Sequence, residues 1–394
     1  MGEWRETRIG NYIKIKHGFA FKGKYITTQN NNDILVTPGN FNIGGGFKNA
    51  KMKYFTGEYP EEYILNHNDI IVTMTDLSKE TDTLGYSAKV PKSDTKRYLH
   101  NQRIGLVQFK NNDINKEYLY WLMRTREYQG YIVGSASGTS IMHTSPTRIE
   151  NYTCRLPPLK EQKSIAEVLS SLDDKIDLLH RQNRTLEEMA QTLFRQWFIE
   201  EADEGWEEKP LSKIANFLNG LACQKFPPTN DVDKLPVLKI KDLKAGISDS
   251  SDWATTDIKP EYIINSGDVI FAWSASLIVK IWDGERCILN QHLFKVTSDD
   301  YPKWFYYQWC IYHLDRFIAI AQAHATTMGH IKRKDLDNAL CFIPSDDEMK
   351  VMDEQIVPLM EKMENNSKQI KTLENTRDTL LPKLMSGEVR IKDE

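Results

Sequence analysis

A stretch near the beginning of the chain has the spacing of a phosphate-binding loop. Residues 18–24 read GFAFKGK, which fits the G-x-x-x-x-G-K core of the P-loop motif. A working P-loop continues with Ser or Thr, whose hydroxyl binds Mg²⁺, and a helix begins there. Here Tyr25 follows, and residues 26–32 (ITTQNNN) favour a strand and a turn. We therefore predict a glycine turn with packed aromatic side chains, which leaves Lys22, Lys24 and Tyr25 free to contact a phosphate backbone.

Other catalytic or metal-binding patterns are weak. The sequence has no H-E-x-x-H, no G-x-S-x-G and no G-x-G-x-x-G. His143 and His330 occupy matching positions of the internal repeat described below, but no Cys or carboxylate stands at ligand spacing from either. A structural or backbone-contacting role is favoured for both histidines over a metal site. We expect no catalytic centre, no metal and no cofactor in this chain.

The composition is that of a globular protein with more than one domain. The chain has 394 residues, of which 40% are hydrophobic and 27% charged. Residues 1–10 contain no apolar signal segment, and charged residues interrupt the most apolar stretch, residues 304–325. The five cysteines are scattered and form no C-x-x-C pair, which favours buried, reduced thiols. We expect a cytoplasmic protein without a membrane span.

Positive charge is unevenly distributed along the chain. The formal net charge is −4, which alone argues against a nucleic-acid partner. Residues 1–155, however, carry 21 Lys and Arg against 15 Asp and Glu, and residues 206–344 carry 16 against 17. The shorter segments are more acidic. Residues 156–205 carry 6 Lys and Arg against 11 Asp and Glu, and residues 345–394 carry 8 Lys and Arg against 12 Asp and Glu. The two long segments are therefore the better candidates for binding a polyanion.

The sequence contains an internal repeat, and the repeated elements are the ones expected to position these residues. Four blocks of the first half match four blocks of the second half in the same order. The matched pairs begin at Trp4 and Trp206, at Tyr63 and Tyr262, at Leu99 and Ile288 (which aligns Asn101 with Asn290), and at Thr139 (TSIMH) and Thr326 (TTMGH). The offset between the copies only falls along the chain, so the second copy has small deletions.

Each copy has the same predicted plan. Short β-like runs come first, at Asp69–Met74, Gly105–Phe109, Asp268–Trp273 and Leu293–Val296. An amphipathic helix is predicted next, over Tyr118–Tyr131 in one copy and Trp304–Ile320 in the other. A proline-marked joint, LPPL at 156–159 and IPSD at 343–346, then leads into a long helix.

The long helices, predicted over 161–198 and about 347–385, carry heptad seams. The predicted seam residues are Leu172, Ile176, Leu179, Asn183, Leu186, Leu193, Leu359, Met363, Asn366, Ile370, Leu373 and Leu380. Two unrelated surface helices, each packed on its own domain, are the alternative. We favour an intramolecular antiparallel coiled coil in which Asn183 and Asn366 fix the register. Pro358 and Pro382 are expected to kink the second helix or end a turn there.

The sequence resembles a known family, the specificity subunits of type I restriction–modification systems. The resemblance lies in GFAFK at 18–22, in the NQR and NQH triplets that begin at Asn101 and Asn290, and in the TSIMH and TTMGH blocks. It also lies in the segments at 156–198 and 373–391, which hold much of the two long helices. The resemblance covers essentially the whole chain.

The resemblance implies a fold and a function. The expected fold class is α+β, with two similar target-recognition domains (1–155 and 206–344) separated by two long helices (156–205 and 345–394). Each domain is expected to read one half of a bipartite double-stranded DNA target, and the coiled coil to set the unread spacer. The implied partners are two modification subunits, which use S-adenosylmethionine to methylate adenine, and two restriction subunits that use ATP and Mg²⁺. The chain itself is expected to be non-catalytic.

Candidate DNA contacts follow from the chemistry of DNA binding. Lys and Arg contact phosphates, whereas discrimination comes from bidentate contacts to base edges. The candidates are Lys22, Lys24, Tyr25, Lys51, Lys53, Arg97, Arg103, Lys225, Lys239, Lys241, Lys280, Arg286 and His292. For any one of them the alternative is a solvated surface side chain. For the whole chain the rival function is a coiled-coil scaffold with two protein-binding lobes, and a nuclease is a third possibility.

Overall fold

The computed structural model describes residues 3–76, 78, 81–138, 141–248, 250–323 and 329–391. The chain forms two compact units, Met1–Ile176 together with Thr372–Glu394, and Asp177–Lys371. Residues 139–140 and 326–328, which belong to the last matched blocks of the repeat, lie outside the described residues. No helix in the described part of the chain is both long and apolar enough to cross a membrane.

The first unit is a mixture of short strands and helices. Its strands are β1 (Arg5–Arg8), β2 (Ile13–His17), β3 (Ile26–Thr27), β4 (Asp33–Val36), β5 (Lys53–Phe55), β6 (Ile64–Leu65), β7 (Ile70–Thr73), β8 (Thr75–Asp76), β9 (Ser87–Lys89), β10 (Arg97–His100), β11 (Ile104–Phe109), β12 (Met142–His143) and β13 (Thr153–Leu156). Its helices are α1 (Lys116–Leu122), α2 (Arg126–Gly134), α3 (Pro146–Glu150) and the beginning of α4 (Leu159–Arg195).

The second unit repeats this plan. Its strands are β14 (Glu207–Pro210), β15 (Asn216–Asn219), β16 (Lys234–Leu238), β17 (Trp253–Thr255), β18 (Ile263–Ile264), β19 (Val269–Ala272), β20 (Ile278–Ile281), β21 (Cys287–Leu289), β22 (Leu293–Thr297) and β23 (Leu340–Ile343). Its helices are α5 (Leu211–Ile214), α6 (Ile240–Ala245), α7 (Lys303–Tyr312), α8 (Leu314–Ala323), α9 (Arg333–Asp337) and most of α10 (Asp346–Ser386).

The two units share their sheet topology. The order β2-β11-β7-β9 in the first unit corresponds to β15-β22-β19-β20 in the second. A second sheet pairs β4 with β10 in parallel and β10 with β6 antiparallel, as β16, β21 and β18 pair in the other unit. The central strands β7 (IIVT) and β19 (VIFA) are buried throughout, which explains their continuous apolar sequence. The internal repeat predicted from the sequence is thus confirmed as a repeat of structure.

The prediction of one amphipathic helix after each set of strands is wrong, because each unit has two shorter helices there. In the first unit α1 ends at Leu122, and the Thr125 side chain accepts a hydrogen bond from the Tyr128 amide to begin α2. In the second unit α7 and α8 are separated at His313, whose Nε2 bonds the Leu340 carbonyl at 2.9 Å. In both cases a polar side chain at the break bonds the backbone, and apolar periodicity does not register such a bond.

The long helices begin at fixed acidic side chains. Before α10, the Ser345 hydroxyl accepts from the Glu348 amide at 3.4 Å, and the Glu348 carboxylate accepts from the Ser345 amide at 2.8 Å. The Trp206 indole donates to the same carboxylate at 3.0 Å. In the first unit the Trp4 indole likewise donates to Glu161 near the start of α4, at 3.3 Å. Residues matched by the sequence repeat therefore make matched contacts in each unit.

In the first unit the beginning of α4 packs against the end of α10. Ile165 and Leu169 belong to the same buried cluster as Leu384. Further along α4, the Asp173 carboxylate accepts from the Arg377 guanidinium at 2.6 Å. The residue numbers rise along α4 as they fall along α10, so the two helices are antiparallel here.

In the second unit the end of α4 packs against the beginning of α10. The Asn366 amide donates to the Asn183 side chain at 2.8 Å. Phe194 shares a buried cluster with Met352 and Ile356, so the helices are again antiparallel. The antiparallel pairing expected from the heptad seams is confirmed within each unit, and none of the twelve predicted seam residues is exposed.

Two prolines lie inside α10 without ending it. The helix is continuous from Asp346 to Ser386, so of the two expected outcomes, a kink or an end, neither proline produces an end. A proline removes one backbone hydrogen bond, and packing can offset that cost. Pro358 is exposed, while Val357, Leu359 and Met360 around it pack against the core of the second unit.

The five cysteines are free thiols, and all except Cys154 are buried. Burial raises the pKa of Cys154 to about 12 and that of Cys223 to about 11. The pKa values of the other three are raised further by the same cause. A thiol with a raised pKa is a poor nucleophile at neutral pH, so these cysteines serve packing.

Candidate nucleic-acid interface

The glycine of the opening motif lies against a second loop of the first unit. The Phe19 amide donates to the His100 carbonyl at 2.8 Å, and the Gln102 amide donates to the Phe19 carbonyl at 2.9 Å. A methyl group on Gly18 would overlap the Asn101 carbonyl oxygen, so only glycine fits without a backbone shift. We name the contact of residues 18–19 with residues 101–102 the first clasp. A short 3-10 turn, rather than the helix of a P-loop, follows it.

The second unit forms the same contact. The Leu221 amide donates to the Leu289 carbonyl at 2.9 Å, and the Gln291 amide donates to the Leu221 carbonyl at 2.8 Å. A methyl group on Gly220 would overlap the Asn290 carbonyl oxygen. We name the contact of residues 220–221 with residues 290–291 the second clasp. The glycine shared by the two copies is thus explained by close backbone approach.

The turn of each clasp is held by a buried asparagine. The Asn101 side chain accepts from the Arg103 amide at 2.9 Å, and the Asn290 side chain accepts from the His292 amide at 3.4 Å. The next residue differs in exposure, because Gln102 is exposed whereas Gln291 is half-buried. In the matched Asn-Gln pair, the asparagine therefore has a structural role and the glutamine is left at the surface.

A third segment completes each site. The Met74 amide donates to the Arg103 carbonyl at 2.9 Å, and the Trp273 amide donates to the His292 carbonyl at 3.3 Å. Trp273 is half-buried, and its ring stacks on Phe294 with 5.7 Å between ring centres. The two units thus share a backbone frame but present different side chains on it.

The matched histidines lie in this frame. His143 pairs with Thr75 between β12 and β8, and its Nδ1 is 3.1 Å from the Thr75 hydroxyl. His330 forms a β-bridge with Ser274, and its ring centre is 6.2 Å from that of Trp273. Within the described ranges, no three His, Cys, Asp or Glu side chains come together as a possible metal site.

The seven candidates of the first unit are all exposed, but they do not form one surface. Lys22, Lys24 and Tyr25 follow the glycine side of the first clasp, and Arg103 follows its turn. Arg97 stands at the opposite end of β10, where its guanidinium makes two bonds to Asp33, at 2.6 and 2.9 Å. Lys53 lies on β5, opposite Leu35 of β4, and Lys51 precedes that strand.

In the second unit three candidates line one groove of about 340 Å³. They are Lys239, Lys241 and His292, and the same groove is lined by Gln224, Ile240, Asn290 and Gln291. Lys225 follows Gln224 in the short turn Cys223–Lys225 and is exposed. This groove lies directly beside the second clasp.

Two candidates of the second unit lie elsewhere. Lys280 lines a separate cavity of about 290 Å³ with Trp282 and Tyr307, and its ammonium pairs with Asp283 at 2.8 Å. Arg286 precedes β21, whereas His292 follows it, so these two residues are at opposite ends of the strand. Lys280 and Arg286 therefore do not contribute to the groove beside the second clasp.

The groove is lined by basic and polar side chains. The Lys241 ammonium donates to the Ser250 carbonyl at 3.0 Å. The Lys239 ammonium pairs with Asp252 and lowers the pKa of that carboxyl, so the positive charge of Lys239 is partly balanced. Gln224 and Gln291 add their amide side chains to this lining. Amides with basic neighbours are suited to contact base edges and phosphates together.

Sequence reasoning missed the two glutamines and Trp273 as members of the site. A signal for Gln291 existed, because Gln102 matches it in the repeat although the flanking residue changes from Arg103 to His292. For Gln224 and Trp273 no such signal existed, since the first copy has Lys22 and Met74 at the matching positions.

Comparisons with known proteins agree with this internal repeat. The family model described as "Type I restriction modification DNA specificity domain" matches residues 1–188 and again residues 203–376. The chain is 28% identical to the type I restriction enzyme MjaIX specificity subunit of Methanocaldococcus jannaschii, over 70% of each chain. It is 24% identical to the MjaVIII specificity subunit of the same organism, over 99% of this chain and 94% of that one.

A solved structure shares the fold. The S subunit of the type I restriction–modification system from M. genitalium superposes with a TM-score of 0.55 at 14% sequence identity. The match covers 97% of this chain and 96% of that chain. The α+β fold with two similar domains and long helices, expected from the sequence, is thereby confirmed.

Proposed function

Because the chain belongs to the type I restriction–modification DNA specificity family, we propose that it is the DNA sequence-recognition subunit of such a system. Its target is bipartite and asymmetric, with one half-site for each unit. The observation that carries this proposal is the pair of clasps, which have the same backbone frame in both units but different side chains around it. Because the two units share a backbone frame, they are expected to dock on DNA in the same way. Because the side chains on that frame differ, the two units are expected to recognise different half-sites.

The paired helices set the unread spacer in this proposal. Support comes from the antiparallel pairs Asp173–Arg377 and Asn183–Asn366, each of which fixes the register of α4 and α10 within its unit. A stiff helix pair imposes a distance without contacting bases, so the number of spacer bases matters and their identity does not.

Catalysis belongs to partner subunits in this proposal. Modification subunits supply S-adenosylmethionine-dependent adenine methylation, and restriction subunits supply ATP- and Mg²⁺-dependent cleavage. The proposed stoichiometry is two modification subunits, joined by two restriction subunits where these are present. The DNA-binding role places the chain in the compartment that holds the DNA, the cytoplasm. The target adenine leaves the base stack to reach the partner's pocket.

The test is a DNA selection with the full chain in complex with its modification subunits. A random duplex pool is bound at several salt concentrations and then sequenced. We expect two specific half-sites separated by a fixed number of unspecified bases, and binding that weakens steeply with salt. Selection of a single continuous site, or of no sequence at all, would contradict the proposal and favour a scaffold that binds proteins.

The spacer role has a separate test. A seven-residue heptad is inserted after Asn183 and a second heptad opposite it in α10, so that the apolar seam keeps its phase. We expect a longer unspecified spacer with the letters of both half-sites unchanged. Altered half-site letters would assign base reading to the helices instead.

A further inference from the structure

A glutamine stands at the same position of both clasps while its surroundings differ. Gln102 and Gln291 are matched in the repeat, and each follows the buried asparagine of its turn. The next residue changes from Arg103 to His292, and the clasp neighbour Met74 becomes Trp273. A surface side chain kept between two otherwise divergent sites suits a contact that both sites make.

The side chain of Gln291 is oriented by its neighbours. Its Nε2 is 3.3 Å from Nε2 of His292, and Nδ1 of His292 is 3.1 Å from the Ser274 hydroxyl. An amide nitrogen only donates, so His292 Nε2 is the acceptor and its Nδ1 carries the hydrogen, which it donates to Ser274. The chain Gln291–His292–Ser274 therefore fixes both the position of the amide and its orientation.

This arrangement leaves one acceptor and one donor of Gln291 available. Oε1 and the second N–H of its amide make no hydrogen bond to any residue that the structure describes. Gln291 itself lines the groove, together with Gln224, Lys239 and Lys241. An acceptor and a donor on one amide match the N6 amino group and the N7 of adenine in the major groove.

We propose that Gln291 reads an adenine in the half-site of the second unit, and that Gln102 reads an adenine in the half-site of the first. Gln291 Oε1 accepts from adenine N6–H, and its free N–H donates to N7. His292 and Ser274 are positioning residues for this contact. The inference rests on the proposed DNA-recognition function and adds, beside the adenine that leaves the stack to be methylated, a second adenine that stays stacked in each half-site.

The two glutamines are unequal readers in this proposal. Thr75 matches Ser274 in the repeat, but its hydroxyl is 3.1 Å from His143, and Arg103 stands where His292 does. Gln102 is exposed, and its side chain has no hydrogen-bond partner within the described part of the first unit. Gln102 must be ordered by DNA, whereas Gln291 is already held, so Gln291 discriminates more strongly.

The test repeats the DNA selection with the full complex carrying Gln291→Ala or Gln102→Ala. We expect Gln291→Ala to lower the preference for adenine roughly 10- to 100-fold at one position of one half-site. Gln102→Ala is the matched control, and we expect a smaller loss at one position of the other half-site. Unchanged preferences, or an even loss across all positions, would overturn the inference. A wild-type complex that selects no sequence would instead overturn the proposed function.

A second measurement separates base reading from folding. Replacing the identified adenine by 7-deazaadenine removes the N7 acceptor, so wild-type affinity falls while that of Gln291→Ala does not change. Ser274→Ala lowers the preference for adenine at the same single position, and Ser274→Thr restores it, because threonine keeps the hydroxyl. Equal effects of 7-deazaadenine on wild type and Gln291→Ala would reject Gln291 as the reader.

Discussion

The side-chain amide of Asn366 donates a hydrogen bond to the side-chain oxygen of Asn183 at 2.8 Å, between the two long helices of the second unit. The Asn183 amide in turn lies 3.2 Å from both the Met363 carbonyl and the Ser367 hydroxyl. Asn366 is 1% exposed and Asn183 is half-buried, so this polar layer is largely removed from water between apolar seam residues. Such a layer lowers the stability of the helix pair but specifies the register in which the two helices pack.

The polar layer gives a first prediction. Asn366→Ala leaves the Asn183 oxygen unpaired and should lower the free energy of unfolding by about 1–3 kcal/mol. The double variant Asn183→Leu with Asn366→Leu removes both partners and should be neutral or stabilising. Urea denaturation of the full chain measures both, with the exposed Asn365→Ala as the control. A double variant as unstable as the single one would show that the hydrogen bond, rather than the burial of an unpaired group, dominates.

The clasp glycine gives a second prediction. Gly18→Ala places a methyl group against the Asn101 carbonyl and should destabilise the first unit and weaken DNA binding. Gly23 is the matched control, since no atom lies within 4 Å of the place where its methyl group would be. Gly23→Ala should be within about 1 kcal/mol of wild type in stability. Thermal unfolding and DNA affinity of the two variants, measured side by side, check this.

The Gly18→Ala and Gly23→Ala variants also test the P-loop alternative. A phosphate-binding loop would depend on both glycines and on Lys24, whereas the clasp depends on Gly18 alone. Loss of function in Gly23→Ala at unchanged stability would therefore speak against the clasp.

A third prediction concerns acid stability. His100 is fully buried, and burial lowers its pKa from 6.5 to about 4. The unfolded chain takes up a proton near pH 6.5, but the folded chain does so only near pH 4. The unfolded state therefore binds more protons in between, and stability should fall as the pH drops through this window. The loss between pH 7 and pH 5 is about 2 kcal/mol.

The measurement is urea denaturation at both pH values. His100→Gln cannot take up the proton, so its stability should change less between them. His67→Gln, at an exposed position, should keep the wild-type difference, because His100 is still present. An equal pH dependence in wild type and His100→Gln would assign the acid sensitivity to other groups.

The long helices could be predicted closely from sequence. The heptad seams predicted 161–198 and about 347–385, and α4 and α10 span Leu159–Arg195 and Asp346–Ser386. This succeeded because a seam of five heptads averages over local exceptions, including two prolines. The amphipathic helices failed, because the breaks at Thr125 and His313 depend on single side-chain bonds to the backbone.

The candidate site could be predicted only in part. Exposure of the basic residues in the two long segments follows from their chemistry, and it holds for Lys22 and Arg103. Composition does not predict which of these basic residues lie close together. Lys239 and His292 are 53 positions apart in the sequence and share a groove only because β16 and β21 are neighbouring strands. The pairing of Arg97 with Asp33 is equally a result of parallel strand register.

The groove beside the second clasp gives the last prediction. Lys241 lines that groove, whereas Lys280 lines a different cavity and is paired with Asp283. A lysine that contacts a phosphate adds about one unit to the slope of log affinity against log salt. Lys241→Gln should therefore lower that slope by about one and weaken binding similarly for specific and unspecific DNA. Lys280→Gln, which removes the same charge elsewhere in the second unit, should leave the slope unchanged. The same reduction in both variants would mean that net charge, rather than the groove, governs the phosphate contact.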